Sequence, residues 1–249
     1  MRRLMIAVNW KMNLDLKGSI QLAAGLKREL ADITEVDVAV FPPFPFLADV
    51  CDALENSNIA VGGQNVHPEA KGAYTGEVAA SMLVSVGCQM VIIGHSERRD
   101  LFKEDNAFLN AKLVAALGAG LRPILCVGEH LEEREAGKAE AVVGEQVKQS
   151  LAGFTAEAMD RIIVAYEPVW AIGTGVTATP EQANNMHGTI RGILGEMFGS
   201  DLAQATRILY GGSVKPGNAK TLMAETEIDG GLVGGASLKV DDFVQIVKA

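Results

Sequence analysis

A carboxylate lies where an apolar, β-branched segment ends, and the residues after it are unusual for a surface loop. Residues 161–165 are predicted to form a buried strand, with Glu167 at its carboxyl end. Residues 169–172 are apolar and precede Gly173, whereas a solvated loop is normally polar. This pattern predicts a lid that closes over a ligand, excludes water and raises the basicity of Glu167. A buried structural carboxylate under a packed loop is the alternative.

A histidine occupies the same kind of position after another predicted strand. His95 follows residues 90–94, and Ser96 is predicted to cap a helix that begins near the imidazole. The partial positive charge of a helix amino terminus disfavours the imidazolium form. We therefore expect a neutral ring that donates a hydrogen bond to a substrate oxygen. A core histidine bonded to the backbone is the alternative.

Lys11 and Asn9 follow the first predicted strand. The lysine places a flexible cation where it could attract a phosphate or stabilise a developing oxyanion. The asparagine amide could orient the lysine or bind an oxygen. Taken alone, a solvated loop lysine and a turn asparagine explain these two residues as well.

Glycine clusters follow the last two predicted strands, as GGS at 211–213 and GGAS at 234–237. Glycine lets backbone N–H groups approach an anion closely, and amides near a helix start form an uncharged phosphate site. Ser213, Gly234 and Gly235 are therefore predicted to bind phosphate. Tight turns are the alternative explanation.

Cofactor and metal patterns are weak in this chain. Gly173, Gly175 and Ala178 match the dinucleotide pattern G-x-G-x-x-A, but they follow a proline and an apolar loop instead of a strand. The four histidines lack the paired spacing of a metal site. We expect no cofactor and no metal.

The composition favours one domain and a small-molecule partner. Of the 249 residues 48% are hydrophobic and 21% are charged, and no linker-like stretch interrupts them, so residues 1–249 are expected to form one domain. A net charge of −9 argues against nucleic acid as the partner. The short apolar run at the amino terminus and the absence of a span-length segment argue against secretion and membrane insertion. A cytoplasmic protein with three reduced cysteines is the simplest expectation.

The elements that must position these side chains alternate along the chain. The predicted strands are residues 4–8, 36–41, 59–63, 90–94, 123–127, 161–167, 207–211 and 232–234. The predicted helices are residues 18–31, 48–55, 77–85, 106–119, 139–151, 180–198, 216–224 and 240–247. Alternation requires a parallel sheet, and eight units predict a closed eight-stranded parallel (β/α)8 TIM barrel. An active site would lie at the carboxyl ends of its strands, and an open doubly wound sheet is the alternative.

Taken together, the motifs resemble those of the triosephosphate isomerase family over essentially the whole chain. The matching stretches are NWKMN at 9–13, GHSERR at 94–99, CVGE at 126–129, AYEPVWAIGTG at 165–175, YGGSV at 210–214 and LVGGASL at 232–238. The resemblance implies a cofactor-independent isomerase of glycolysis and gluconeogenesis. It would interconvert dihydroxyacetone phosphate and D-glyceraldehyde 3-phosphate by proton transfer through an enediolate.

The resemblance also implies a role for each site residue. Glu167 would be the general base and His95 the neutral electrophile. Lys11, with Asn9, would stabilise the enediolate and the phosphate, and Glu97 and Ser96 would support these groups. The implied phosphate-binding residues are Gly173, which arrives when the lid closes, Ser213, Gly234 and Gly235.

The loop 64–77, bounded by Gln64 and Glu77, is long for a connection in a barrel. By resemblance it inserts into a second subunit near Lys11 through Tyr74 and Thr75, which implies a homodimer. A mobile surface loop is the alternative.

Further features also follow from the resemblance. Arg191 and Asp229 are expected to form an ion pair. Val8 and Val176 depart from the family pattern, which more often has glycine and lysine there. A β-branched residue at Val176 is expected to stiffen the lid hinge without abolishing activity.

Two other function classes are open from the residues. A non-catalytic sugar-phosphate binding module would keep the glycine clusters without needing His95 and Glu167 together. An aldolase would use Lys11 as a Schiff-base amine, which borohydride would trap.

Overall fold

A closed barrel of parallel strands organises the chain. The structure is a computed structural model, and it describes residues 2–173 and 176–249. Each strand pairs with the next in sequence, and the first also pairs with the last, which confirms the predicted (β/α)8 TIM barrel. The strands are β1 (Met5–Asn9), β2 (Asp37–Phe41), β3 (Ile59–Gly63), β4 (Met90–Ile93), β5 (Arg122–Val127), β6 (Ile163–Tyr166), β7 (Ile208–Tyr210) and β8 (Gly230–Val233).

Helices surround the barrel. In the described residues they are α1 (Leu16–Glu29), α2 (Leu47–Ala53), α3 (Ala80–Ser85), α4 (Ser96–Leu101), α5 (Asn106–Gly118), α6 (Leu131–Glu135), α7 (Ala139–Ser150), α8 (Ala156–Met159), α9 (Pro180–Phe198), α10 (Ser200–Ala205), α11 (Pro216–Met223) and α12 (Val240–Val247). Short 3-10 helices span Phe44–Phe46, Val169–Ala171 and Gly235–Leu238.

The sequence predicts the long helices better than the short ones. The eight predicted helices correspond to α1, α2, α3, α5, α7, α9, α11 and α12. Of the other four, α4 corresponds to the helix expected after Ser96, and all four, α4, α6, α8 and α10, have four to six residues. A helix this short completes fewer than two turns, so its apolar residues do not establish a helical period.

The predicted start of α9 is confirmed in detail. Thr179 accepts a hydrogen bond from the Gln182 amide at 3.1 Å, and the Gln182 side chain accepts one from the Thr179 amide at 3.0 Å. Pro180 occupies the first helical position, where its missing N–H costs nothing. This reciprocal cap fixes where the chain re-enters regular structure after the predicted lid.

Alternation along the strands separates two apolar layers and aims the site residues. On β6, Ile163 and Ala165 point into the barrel, whereas Val164 and Tyr166 pack against the helices. Period-two geometry then places Glu167 on the same side as Ile163 and Ala165, at the barrel mouth. Asn9 follows the inward-facing Ala7 on β1 by the same rule.

The expected pair of Arg191 and Asp229 lies at the opposite rim. Their side chains are 2.7 Å apart, and both are buried. Asp229 also accepts a hydrogen bond from the Ile208 amide at 2.8 Å, so the pair ties α9 to the start of β7. Because each charge has a partner and further hydrogen bonds, the pair is stable where it is buried.

His187 on α9 makes the fold sensitive to acid. The side chain is fully buried between the helix and the barrel, its Nδ1 lies 3.2 Å from the Glu227 carbonyl oxygen, and burial lowers its pKa to about 3. In the unfolded chain the His187 side chain therefore binds a proton near pH 6.5, whereas in the folded chain it binds one only near pH 3. Folding stability contributed by this group is present above pH 6.5 and falls as the pH drops toward 3.

We predict that His187→Leu flattens this dependence. Urea unfolding at several pH values between 3.5 and 6.5 should give a free energy of unfolding that rises with pH more steeply in the wild type. The difference in slope should approach about 1.4 kcal/mol per pH unit. Equal slopes for the two proteins would rule out a neutral buried His187.

Candidate active site

A cleft of about 510 Å³ opens at the carboxyl ends of the strands. It brings together side chains and glycines from both ends of the chain, and nearly every residue singled out for chemistry or phosphate binding reaches it. These lining residues are Asn9, Lys11, His95, Glu167, Gly173, Ser213, Gly234 and Gly235. Ser96 and Glu97 lie behind it and contact its lining residues.

Glu167 and His95 face each other in this cleft. The Glu167 carboxylate is almost fully buried, and its Oε1 lies 3.2 Å from His95 Nε2. Its Oε2 accepts a hydrogen bond from the Ser96 amide at 2.9 Å. The backbone amide of Glu167 donates to the Val127 carbonyl oxygen at 2.7 Å, which fixes the residue beside the end of β5.

The cap of α4 differs from the sequence prediction. Ser96 is the first helical residue, and His95 is the cap: its Nδ1 accepts a hydrogen bond from the Glu97 amide at 3.2 Å. The prediction that Ser96 caps this helix was wrong, because the ring nitrogen one residue earlier already reaches that amide. A ring that accepts at Nδ1 carries its proton on Nε2, which faces Glu167 Oε1.

Lys11 has a left-handed backbone conformation, with φ at 52°. Asn9 Oδ1 accepts from the Lys11 amide at 2.9 Å, and Gln64 Nε2 donates to the Lys11 carbonyl oxygen at 2.9 Å. This conformation is uncommon for a residue with a side chain, and such strain concentrates at functional sites. The two amide side chains hold the strained backbone in place.

Glu97 forms an ion pair with Lys11. Lys11 Nζ and Glu97 Oε1 are 2.6 Å apart, and Glu97 Oε2 lies 3.7 Å from His95 Nδ1. Burial opposes ionisation of Glu97, but the hydrogen bond from Lys11 and the nearby positive charge outweigh it and lower its pKa. The carboxylate is therefore charged at neutral pH and orients the lysine side chain beside the cleft.

Glycines form part of the wall of the cleft. A Cβ on Gly211 would lie 2.7 Å from Glu167 Cγ, and one on Gly212 would lie 2.2 Å from the Tyr210 hydroxyl. The Gly211–Gly212 segment therefore excludes side chains by close packing. Gly234 and the exposed Gly235 mark the start of a 3-10 helix, where backbone amides lack partners within the helix.

The predicted lid begins in the described residues and then leaves them. Val169–Ala171 form a 3-10 helix, and Gly173 is exposed with φ at 70°. Thr174 and Gly175 lie outside the described residues. Val176 is exposed where the chain returns, before α9 begins.

Glu129 anchors the start of the lid, and the sequence reasoning missed it. Its Oε1 accepts hydrogen bonds from Trp170 Nε1 at 2.8 Å and the Tyr166 hydroxyl at 3.0 Å, and Arg134 Nη1 lies 3.3 Å away. Burial and this carboxylate raise the pKa of Tyr166, which therefore stays a donor. Glu129 follows β5 as Glu167 follows β6, so the strand-end rule applied to Glu167 could have found it.

The loop 64–77 lies elsewhere on the surface. Tyr74 and Thr75 are exposed, and the Tyr74 ring packs on His67 with ring centroids 4.3 Å apart. Gln64, the first residue of the loop, bonds the Lys11 carbonyl oxygen. The loop is thus connected to the site through the backbone of Lys11.

A carboxylate, an imidazole and a lysine at the carboxyl rim of a closed parallel barrel define the class of TIM-barrel enzymes. Comparison with known proteins specifies the class further. The sequence model of the family "Triosephosphate isomerase" matches residues 4–249. A relative of that name from Carboxydothermus hydrogenoformans is 55% identical over 252 aligned positions, covering 100% of this chain and 99% of the relative.

Two further relatives of the same name also match the whole chain. The one from Syntrophotalea carbinolica is 52% identical and covers 100% of this chain and 98% of its own length. The one from Fusobacterium nucleatum is 51% identical, with 100% and 99% covered. The chain belongs to the triosephosphate isomerase family and is an isomerase.

A methyl group added at Gly211, beside Glu167, tests whether the position of the carboxylate matters. We predict that Gly211→Ala lowers kcat for triose phosphate by about 10²-fold, because the new methyl group displaces the Glu167 side chain by a fraction of an ångström or more. Coupled-assay kinetics would measure this.

Gly192→Ala on the exposed side of α9 is the matched control, since a Cβ there meets nothing within 4 Å. It should leave kcat unchanged and stabilise the helix by about 0.5–1 kcal/mol. Similar kcat values for the two variants would contradict the packing argument.

Proposed function

We propose that this chain interconverts dihydroxyacetone phosphate and D-glyceraldehyde 3-phosphate without a cofactor, through an enediolate. The observation that carries the proposal is the convergence of Glu167 and His95 Nε2, 3.2 Å apart, in a cleft walled by glycine backbone. A base beside a neutral N–H donor suits proton removal next to a carbonyl group.

The reaction moves one proton between adjacent carbons and one between the two oxygens, with no net change in atoms. Glu167 removes the proton from the carbon next to the carbonyl group, and the electron pair moves to the carbonyl oxygen. His95 Nε2–H and Lys11 stabilise that oxygen, and His95 exchanges a proton between the two oxygens. Glu167 then returns its proton to the neighbouring carbon.

The Glu167 side chain must move for these steps to occur. Its carboxylate is held by the Ser96 amide and faces His95. We infer that it rotates away from Ser96 into the cleft when substrate binds, because a base must come within hydrogen-bond reach of the proton it removes. Gly211, which has no Cβ, leaves the side chain space beside it.

Phosphate binding is proposed for the glycine wall and the lid. Ser213, Gly234 and Gly235 line the cleft, and Gly173 lines it from the lid side. Backbone amides bind an anion without bringing a countercharge that would disturb Glu167. Water exclusion by the lid would protect the enediolate and strengthen the electrostatic interactions around it.

Replacement of the base tests the proposal. Glu167→Gln keeps the shape and the hydrogen bond to Ser96 but cannot accept a proton, so kcat should fall on the order of 10²-fold or more while the affinity for glycerol 3-phosphate is kept. Glu140→Gln, on the exposed surface of α7, is the control and should match the wild type. A Glu167→Gln enzyme within a factor of a few of the wild type would refute the assignment.

A homodimer is also proposed, supported by exposed apolar side chains. Met12 is 96% exposed, Leu101 74% and Phe102 63%. Monomeric proteins rarely expose large apolar patches, whereas subunit interfaces bury them. We propose that these side chains and the exposed tip of the loop 64–77 form one face of the subunit.

We predict that Thr75→Glu weakens self-association. A carboxylate at the exposed tip of the loop would be buried unpaired in an interface, and it adds repulsion between two acidic chains. Sedimentation velocity should show monomers, and isomerase activity should fall roughly tenfold or more as the loop that carries Lys11 loses its support.

Thr221→Glu on α11 makes the same change in charge at an exposed position outside that face. It should sediment and react as the wild type does. Indistinguishable sedimentation of the two variants would contradict an interface at Thr75.

The cellular setting is part of the proposal. We place the enzyme in glycolysis and gluconeogenesis, in the cytoplasm, supported by its family and by its free cysteines Cys51, Cys88 and Cys126. As a separate finding, none of the helices in residues 2–173 and 176–249 has the length and apolarity needed to span a membrane.

A further inference from the structure

Arg99 joins the end of β4, the strand that precedes His95, to the end of β5, which pairs with β6 beside Glu167. Its Nε donates to the Gly94 carbonyl oxygen at 3.0 Å, and its Nη2 donates to the Cys126 carbonyl oxygen at 2.9 Å. Gly94 directly precedes His95, and Cys126 directly precedes Val127, whose carbonyl oxygen holds the Glu167 amide. One planar guanidinium therefore fixes the spacing of the two backbones that carry the site.

The guanidinium is itself fixed. Asn106 Oδ1 accepts from its Nη1 at 2.7 Å, and Asn106 Nδ2 donates to Gln149 Oε1 at 2.9 Å, so α5 and α7 brace it. Gly94 has φ at 76°, and a Cβ there would lie 3.3 Å from Arg99 Nη2. A fork of donors in one rigid plane can hold two carbonyl oxygens at once, which a lysine cannot do.

Arg99 and Glu167 line the same cavity. In the described part of the chain the three acceptors of Arg99 are two backbone carbonyls and an amide, and it has no ion-pair partner. Burial lowers its pKa, and Glu167 is the carboxylate that opposes this most. The other titratable groups around Glu167 are His95, Cys126 and Lys11.

A second cavity, of about 370 Å³, lies on the other side of Glu167. Arg99, Asn106 and Glu167 all line it, and so do four further titratable groups: Asp100, Asp105, His130 and Glu133. The cavity is partly open, so a small cation could replace the guanidinium if the arginine side chain were removed.

We propose that Arg99 is a positioning residue for the isomerase reaction: it sets the distance between His95 and Glu167. The inference rests on the proposed roles of those two residues. It predicts that Arg99 acts on kcat far more than on substrate affinity, because the phosphate-binding glycines belong to other strand ends.

Chemical rescue tests this. Arg99→Ala should lower kcat by about 10²-fold with KM within about threefold, and guanidinium ion at millimolar concentration should restore at least a tenth of the lost activity. Urea at the same concentration, which has the shape without the charge, should restore less. Arg99→Lys keeps the charge but not the fork, so its kcat should lie between those of Arg99→Ala and the wild type.

Arg161→Ala is the matched control. Arg161 also donates to two carbonyl oxygens, those of Leu117 and Leu121, but at the amino-terminal end of the barrel. It should keep wild-type kcat and show no response to guanidinium. Equal kcat for the two alanine variants, or a lowered Arg99→Ala kcat with no rescue by guanidinium, would overturn the inference. Wild-type turnover in the same assay tests the proposed function separately.

Discussion

The pairing of β1 with β8 is the constraint on which the rest of this structure depends. Closure forces the carboxyl ends of eight parallel strands onto one rim, so residues far apart in sequence become neighbours whether or not their side chains bond to one another. The period-two alternation of each strand then decides which of its last residues points into the mouth. Asn9 and Glu167 reach the cleft for this reason, while Tyr166 packs outward against the helices.

Hydrogen bonds to backbone groups fix the positions of the site side chains more accurately than barrel closure alone does. The Glu167 carboxylate is held by the Ser96 amide, the His95 ring by the Glu97 amide, and the strained Lys11 backbone by Asn9 and Gln64. In each case the positioning partner is fixed in the fold and carries no charge of its own. Such groups need not reorganise as charge develops on a substrate, which is the condition under which electrostatic stabilisation is most effective.

The sequence predicts the barrel and the neighbourhood of the site well, because both follow from local patterns. Strand ends are visible as apolar runs that stop at polar or glycine residues, and the cap of α9 is visible in three residues. Contacts between residues that are distant in sequence are not visible in this way. Glu129 accepts from the side chains of Tyr166 and Trp170, and Arg99 donates to the Cys126 carbonyl oxygen, and only the folded chain brings these groups within reach. The histidine cap of α4 is local, but serine is the more usual capping residue.

The most direct test of the central claim is deuterium incorporation from heavy water during turnover of dihydroxyacetone phosphate, followed by proton NMR. If a carboxylate at the barrel mouth moves the proton between adjacent carbons, the wild type should introduce deuterium at the carbon next to the carbonyl group. The rate of deuterium incorporation by Glu167→Gln should then be lower by a factor on the order of 10² or more. Incorporation at the wild-type rate in that variant would show that another group moves the proton, and the account of the site would be wrong.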